Sequence, residues 1–147
     1  MSVEVLEIHH CALRVPTDPD KLEEVHRFYE DILGLSTDTG RPNIPTVTGY
    51  WMNAGDVGQV HLMSVDGQSV MAPGPGKDPT TPHIAFAVAS IADAKRELDR
   101  LGVAYWTLGV LAGPDSEQVF LNDGSGNLLE LHQVDSCRCA LRNRISK

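Results

Sequence analysis

Four side chains of this 147-residue chain have the types and positions for coordination chemistry: His10, His61, His83 and Glu130. Three imidazoles and one carboxylate suit a divalent first-row transition metal, with nickel, zinc, cobalt, manganese and iron all acceptable. Any one of these histidines alone is ordinarily a core or rim residue. The four stand apart because their positions follow an internal repeat. His10-Cys11-Ala12-Leu13-Arg14-Val15 and His83-Ile84-Ala85-Phe86-Ala87-Val88 share the pattern H-x-A-apolar-x-V at an offset of 73 residues. In the same way His61, between Val60 and Leu62, answers Glu130, between Leu129 and Leu131, at an offset of 69.

Strands must present these groups, because alternate residues of a strand face opposite ways. His10, Ala12 and Arg14 then share one face, and Cys11, Leu13 and Val15 turn toward a helix. The same parity groups His83 with Ala85 and Ala87, against Ile84, Phe86 and Val88. His61 and Glu130 are polar residues on the alternate faces of otherwise apolar strands. One helix is predicted over residues 20–33, with Leu22, Val25, Tyr29, Ile32 and Leu33 on its buried stripe and Gly34 as its stop. A second runs from the N-cap Ser90 to Gly102 and packs Ile91, Ala94, Leu98 and Leu101. Further strands are expected near residues 36–38, 48–53, 59–65, 103–108, 118–122 and 128–134, the last two joined by the turn Asn122-Asp123-Gly124-Ser125-Gly126-Asn127.

The chain thus reads as one α+β domain, residues 1–147, made of two βαβββ units that offer these four side chains to a shared concave face. The first unit is residues 5–65 and the second residues 83–134. Residues 66–82, containing Pro73-Gly74-Pro75-Gly76, form the linker, and residues 135–147 form a basic tail. His9, His26 and His132 are read as structural. Cys11, Cys137 and Cys139 are read as reduced thiols, because an odd count with two cysteines one residue apart makes no disulfide framework.

These segments resemble the vicinal oxygen chelate superfamily, which unites glyoxalases, bleomycin resistance proteins and extradiol dioxygenases. The resemblance covers residues 5–134. It lies in the H-x-A-L-R-V opening, Phe28-Tyr29-Glu30-Asp31-Ile32-Leu33-Gly34-Leu35, Trp51-Met52 leading to Gln59-Val60-His61-Leu62, the His83 strand, and the run from Val119 through Asn122-Asp123-Gly124 to Leu131. It implies a glyoxalase-like fold whose curled mixed sheets surround a metal cavity, with metal ligands at His10, His61, His83 and Glu130; as the set's one carboxylate, Glu130 would be ligand, catalytic base, or both in turn. The nearest pattern is that of glyoxalase I, in which the position of Arg14 binds a substrate carboxylate; the fork of an arginine suits such an anion. His61 departs from that branch, which carries an acidic or amide ligand there, so one candidate base is missing.

The resemblance implies isomerase or lyase chemistry on a small, oxygen-chelating, anionic substrate through a metal-stabilised enolate. Two alternatives accompany it. One is a ferrous dioxygenase built on two histidines and a carboxylate. The other is a non-catalytic antibiotic-binding protein, against which the complete ligand set speaks. A homodimer is expected. With 12 basic and 20 acidic residues the net charge is −8, which opposes nucleic-acid binding. No apolar run approaches the roughly 18 residues of a membrane span, and the polar start lacks a signal-peptide core, so a cytoplasmic protein without membrane partners is expected.

Overall fold

A computed structural model describes residues 2–56, 58–109 and 117–134. The basic tail with Cys137 and Cys139 lies outside the described residues. Eight strands form one mixed sheet: β1 (Val5–Val15), β2 (Ser36–Thr37), β3 (Thr48–Ala54), β4 (Gly58–Ser64), β5 (His83–Val88), β6 (Trp106–Leu108), β7 (Gln118–Asn122) and β8 (Leu128–Gln133). Their order is β2-β3-β4-β1-β5-β8-β7-β6, so the sheet is curled and open at β2 and β6 rather than closed into a barrel. In each half the strand bearing the first histidine lies parallel to the last strand of that half: β1 beside β4, and β5 beside β8. The halves meet where β1 and β5 run antiparallel. This pairing brings the expected His10, His61, His83 and Glu130 onto four adjacent strands.

Helix α2 (Ile91–Leu101) follows its sequence closely. Ser90 accepts from the Asp93 N–H at the N-cap, and Gly102 closes the helix in the left-handed conformation at φ 67°. Its buried Ile91, Ala94 and Leu98 pack on Val88, Val119 and Leu131 beneath it. Burying Ile91 and Leu98 stabilises the domain by about 1.5–3 kcal/mol each, and Ala94 by less.

The first helix departs from expectation. Helix α1 (Pro19–Arg27) gives way to a π-turn, Phe28–Ile32, in which the Leu33 N–H bonds to the Phe28 carbonyl at 3.2 Å. Five residues per hydrogen bond instead of four shift the helical phase. Ile32 and Leu33, expected on the buried stripe, therefore turn outward and are 69% and 52% exposed. The outer face of the central strands is correspondingly less covered than expected, leaving Leu13 and Ile84 each 40% exposed. The helix is held instead by polar aromatic contacts: His26 stacks on Tyr50 with ring centroids 3.7 Å apart, and the Tyr50 hydroxyl donates to Glu23 at 3.2 Å. Among the described residues no helix is long and apolar enough to cross a membrane.

The linker between the halves is irregular, as its proline and glycine content dictates, yet it is tied down. Asp78 accepts from the Ser69 N–H at 2.6 Å, the Thr80 N–H at 2.9 Å and the Thr80 hydroxyl at 2.7 Å. Arg14 on β1 donates to Asp78 at 3.3 Å, to the Thr80 hydroxyl at 2.8 Å and, through Nε, to the Thr80 carbonyl at 3.1 Å. Burial pushes the Asp78 carboxyl up, but the Ser69 and Thr80 donors and the Arg14 charge outweigh it and hold it below the usual carboxylate range.

Two stability predictions follow from these contacts. Gly49 in β3 has φ +133°, and a Cβ there would stand 1.9 Å from the Leu62 carbonyl oxygen of the neighbouring strand. Gly49→Ala is expected to cost more than about 2 kcal/mol in urea unfolding, because both backbone conformation and space forbid it. Asp78→Asn is expected to cost about 2 kcal/mol at pH 7, the worth of hydrogen bonds to a charged acceptor. A carboxyl whose pKa is depressed by folding stabilises above its unfolded value of about 3.9 and loses that contribution as pH falls through the folded value. The difference between wild type and Asp78→Asn should therefore be constant from pH 6 to 8 and shrink below about pH 4.

Candidate metal centre

The register across the sheet explains why the predicted ligands meet. His10 pairs with Ala85 and Ala85 pairs with Glu130, so one row places an alanine between two long side chains. In the next row Ala12 separates His61 from His83. Both alanines are buried, and their small side chains let the flanking groups lean together above them. His10 Nε2 lies 3.4 Å and His83 Nε2 2.8 Å from Glu130 Oε2. One donor atom from each of the three falls within 4.8 Å of the others, a His-His-Glu group able to hold a metal ion.

Hydrogen bonds decide which ring nitrogens face the centre. His83 Nδ1 lies 2.6 Å from the Thr81 carbonyl, which can only accept, so Nδ1 carries a proton, and Nε2, in the neutral ring, holds a lone pair. That Nε2 is buried and has no aligned hydrogen-bond partner, although the Glu130 oxygen is close by. A lone pair facing a carboxylate at 2.8 Å is repulsive unless a proton or a metal ion lies between them. Two ligands bonded to one ion at about 2.1 Å are about 3.0 Å apart at a right angle and about 3.4 Å at the tetrahedral angle, close to the separations seen here. The residues fit a divalent metal.

The surroundings hold the three groups in place. His9 Nδ1 sits 3.0 Å from His10 Nδ1, so a proton on His10 Nδ1, donated to His9, leaves His10 Nε2 free to ligate. The Gln118 amide donates to Glu130 Oε1 at 2.8 Å, and His132 Nε2 lies 2.5 Å from the same oxygen. Glu130 thus has one oxygen held from behind and the other turned to His10 and His83. Burial pushes the Glu130 carboxyl up, but the charges of His132 and His10 outweigh it, and its pKa falls well below the usual range. Burial lowers His10 to about 4. At His83 the neighbouring Glu130 more than offsets the same effect, and the imidazole is raised.

His61 stands beside this group with a different set of partners. Its ring stacks on His10 at 3.8 Å and on Trp51, its cross-strand neighbour, at 4.4 Å. Gln59 donates its amide N–H groups to Asp38 and Asn53, at 3.0 and 2.7 Å, so its oxygen faces His61 Nε2 at 3.1 Å. His61 therefore carries its proton on Nε2 and keeps a lone pair on Nδ1, while burial and the nearby His10 hold its pKa well below the ordinary value. Arg14 shares the parity of His10 but is engaged by Asp78 and Thr80 and does not line the cavity above the cluster.

That cavity, about 70 Å³, is lined by His10, His61, His83 and Glu130 together with Arg41, Trp51 and Phe120. Several of the residues around it escape the sequence reading. A bulge explains His9: Ile8 pairs with Phe86 but His10 with Ala85, so an extra residue enters β1 and both histidines become buried. His132 was visible through its parity with Glu130. Gln118 and Arg41 offered no signal, the first being an ordinary polar residue in a strand and the second lying in an irregular loop.

Known proteins share this architecture. Among curated sequences, Glyoxylase I 4 of Arabidopsis thaliana is 25% identical over 116 residues, which are 78% of this chain and 66% of that protein, so the chain spans slightly less than two thirds of its relative. Methylmalonyl-CoA epimerase from Mycobacterium tuberculosis superimposes with a TM-score of 0.67 at 22% identity, covering 90% of this chain and 91% of the epimerase. The 2,3-dioxygenase LapB from Pseudomonas sp. KL28 gives 0.63 at 22% identity over 96% of this chain and 44% of its own. At such identities the likeness carries the fold alone. The family model of the Glyoxalase/Bleomycin resistance protein/Dioxygenase superfamily matches residues 7–131, and the chain belongs to that superfamily.

Proposed function

We propose that the protein is a divalent-metal-dependent enzyme that performs isomerase or lyase chemistry of the glyoxalase type on a small, oxygen-chelating, anionic substrate. His10, His83 and Glu130 hold the ion, and His61 contributes through Nδ1, the nitrogen that its bond to Gln59 leaves with a lone pair. The observation that carries this reading is the buried His83 Nε2, 2.8 Å from the Glu130 oxygen with its other nitrogen already committed to Thr81. When bound, a divalent ion supplies Lewis-acid stabilisation of negative charge developing on adjacent substrate oxygens. The chain's own part is to hold imidazoles around one fixed carboxylate, to exclude water with Trp51 and Phe120, and to accept a proton at Glu130. The uncovered apolar strip containing Leu13 and Ile84 supports a homodimer.

A second reading, a ferrous dioxygenase, is favoured by the composition of the cluster, since two histidines and one carboxylate with open positions suit non-haem iron. Elemental analysis and turnover separate the possibilities. Wild type is expected to bind one divalent ion per chain, and Glu130→Gln and His83→Ala to weaken that affinity at least about tenfold and to abolish turnover together. Unchanged metal stoichiometry and affinity in both variants would refute the centre. Anaerobic turnover with nickel or zinc selects the isomerase or lyase reading, whereas oxygen uptake coupled to substrate loss after ferrous loading selects the dioxygenase.

A further inference from the structure

The cavity above the cluster contains a cation that neither the internal repeat nor the metal centre explains. Arg41 lies in the loop between β2 and β3, half-buried against the cavity. Two of its nitrogens are spent on the backbone: Nη2 donates to the Val47 carbonyl at 2.6 Å and Nη1 to the Pro42 carbonyl at 3.3 Å. These bonds fix the plane of the guanidinium but neutralise nothing. Its Nε–H is buried and has no hydrogen-bond partner, and among the described residues no carboxylate forms an ion pair with Arg41. In a chain of net charge −8 an arginine so placed, and so unpaired, stands out. A desolvated guanidinium with a vacant donor is costly unless an anion completes it.

The placement also says how that anion relates to the metal centre. The guanidinium lies 5.9 Å from the centre of the Trp51 ring, Trp51 stacks on His61, and His61 stacks on His10. A continuous column of flat groups thus runs along the cavity wall from Arg41 to the ligand cluster. Ile44 and Val47 from the same loop and Met71 from the linker add apolar side chains to the cavity lining. A low-polarity wall strengthens a charge-assisted hydrogen bond and favours a fork over a hydrated point charge. The free space of about 70 Å³ sets the scale of a small ligand.

We propose that Arg41 is the carboxylate anchor of this cavity, and that the substrate is a small oxo- or hydroxycarboxylate held by Arg41 at one end. The opposite end, bearing the second oxygen, then points to His10, His83 and Glu130; in this respect the proposal rests on the metal-dependent reading above. The anchoring role that the family resemblance gives to Arg14 passes to Arg41, because Arg14 already spends its donors on Asp78 and Thr80.

The test compares pyruvate with its neutral isostere pyruvamide in calorimetric titrations of the zinc-loaded and the metal-free protein. Arg41→Met is expected to weaken pyruvate binding at least about tenfold while changing pyruvamide binding less than about threefold, with zinc content unchanged. Arg41→Lys, which keeps the charge but loses the fork, is expected to fall between wild type and Arg41→Met for pyruvate. If Arg41→Met fails to fold, the Arg41→Lys ratio of pyruvate to pyruvamide affinity decides instead. Equal weakening of both ligands, unchanged pyruvate affinity, or absence of pyruvate binding to either form of wild type would overturn the proposal. Pyruvate binding that depends on Arg41 in a protein that takes up no metal would uphold the anchor and sink the metal-dependent reading; intact zinc binding with pyruvate affinity indifferent to Arg41 would do the reverse.

Discussion

A carboxylate that is 1% exposed has to be compensated, and the inner face of this sheet is organised around that requirement at Glu130. Removing such a charge from water costs several kcal/mol even after relaxation. The cost is offset by Gln118 and His132 at one oxygen and, at the other, by a proton or metal ion shared with His10 and His83. Each partner comes from a strand other than its neighbour in sequence, except His132, which lies two residues along on β8 itself. The long-range pairing of β1, β5, β7 and β8 is thereby coupled to the electrostatics of one side chain. A sheet slipped by one residue in any of these strands would turn a compensating group to the outer face and leave the charge exposed to an apolar wall.

Uneven division of labour at Glu130 follows from hydrogen-bond inventory. Gln118 presents its amide N–H to Oε1, so that oxygen is satisfied within the protein. Oε2 meets His83 Nε2, whose partner nitrogen is committed to Thr81, and the two cannot satisfy each other without a shared cation. In the metal-free protein a proton can serve, which is consistent with the raised pKa of His83. A metal ion held by His83 and Glu130 would compete with that proton for the same lone pair, so its binding would be coupled to release of a proton.

Much of this was legible in the sequence because it rests on periodicity. The H-x-A pattern at His10 and His83 specifies strand parity and also supplies Ala12 and Ala85, without which the flanking side chains could not converge. The capped helix from Ser90 to Gly102 was equally readable, since its start, stripe and stop are all local signals. What escaped depends on departures from regular spacing. The bulge at His9 inserts a residue into β1 without changing composition, and the π-turn at Phe28–Ile32 shifts the phase of an otherwise convincing amphipathic stripe. Arg14 shows a subtler limit: parity placed it on the proper face, but the linker that claims its donors comes from more than sixty positions away.

The repeat and the loops therefore have separate roles. The repeated strands carry His10, His61, His83 and Glu130. The cavity above the cluster owes its other walls to segments outside the pattern: the loop bearing Arg41 and Val47, and the linker bearing Met71 and Thr80. That linker is held down by Arg14, so a residue of the repeat fixes a wall that the repeat does not encode. Changes in the loop or linker can thus alter what the cavity accepts while Glu130 and its partners stay in place, which separates the choice of substrate from the integrity of the centre.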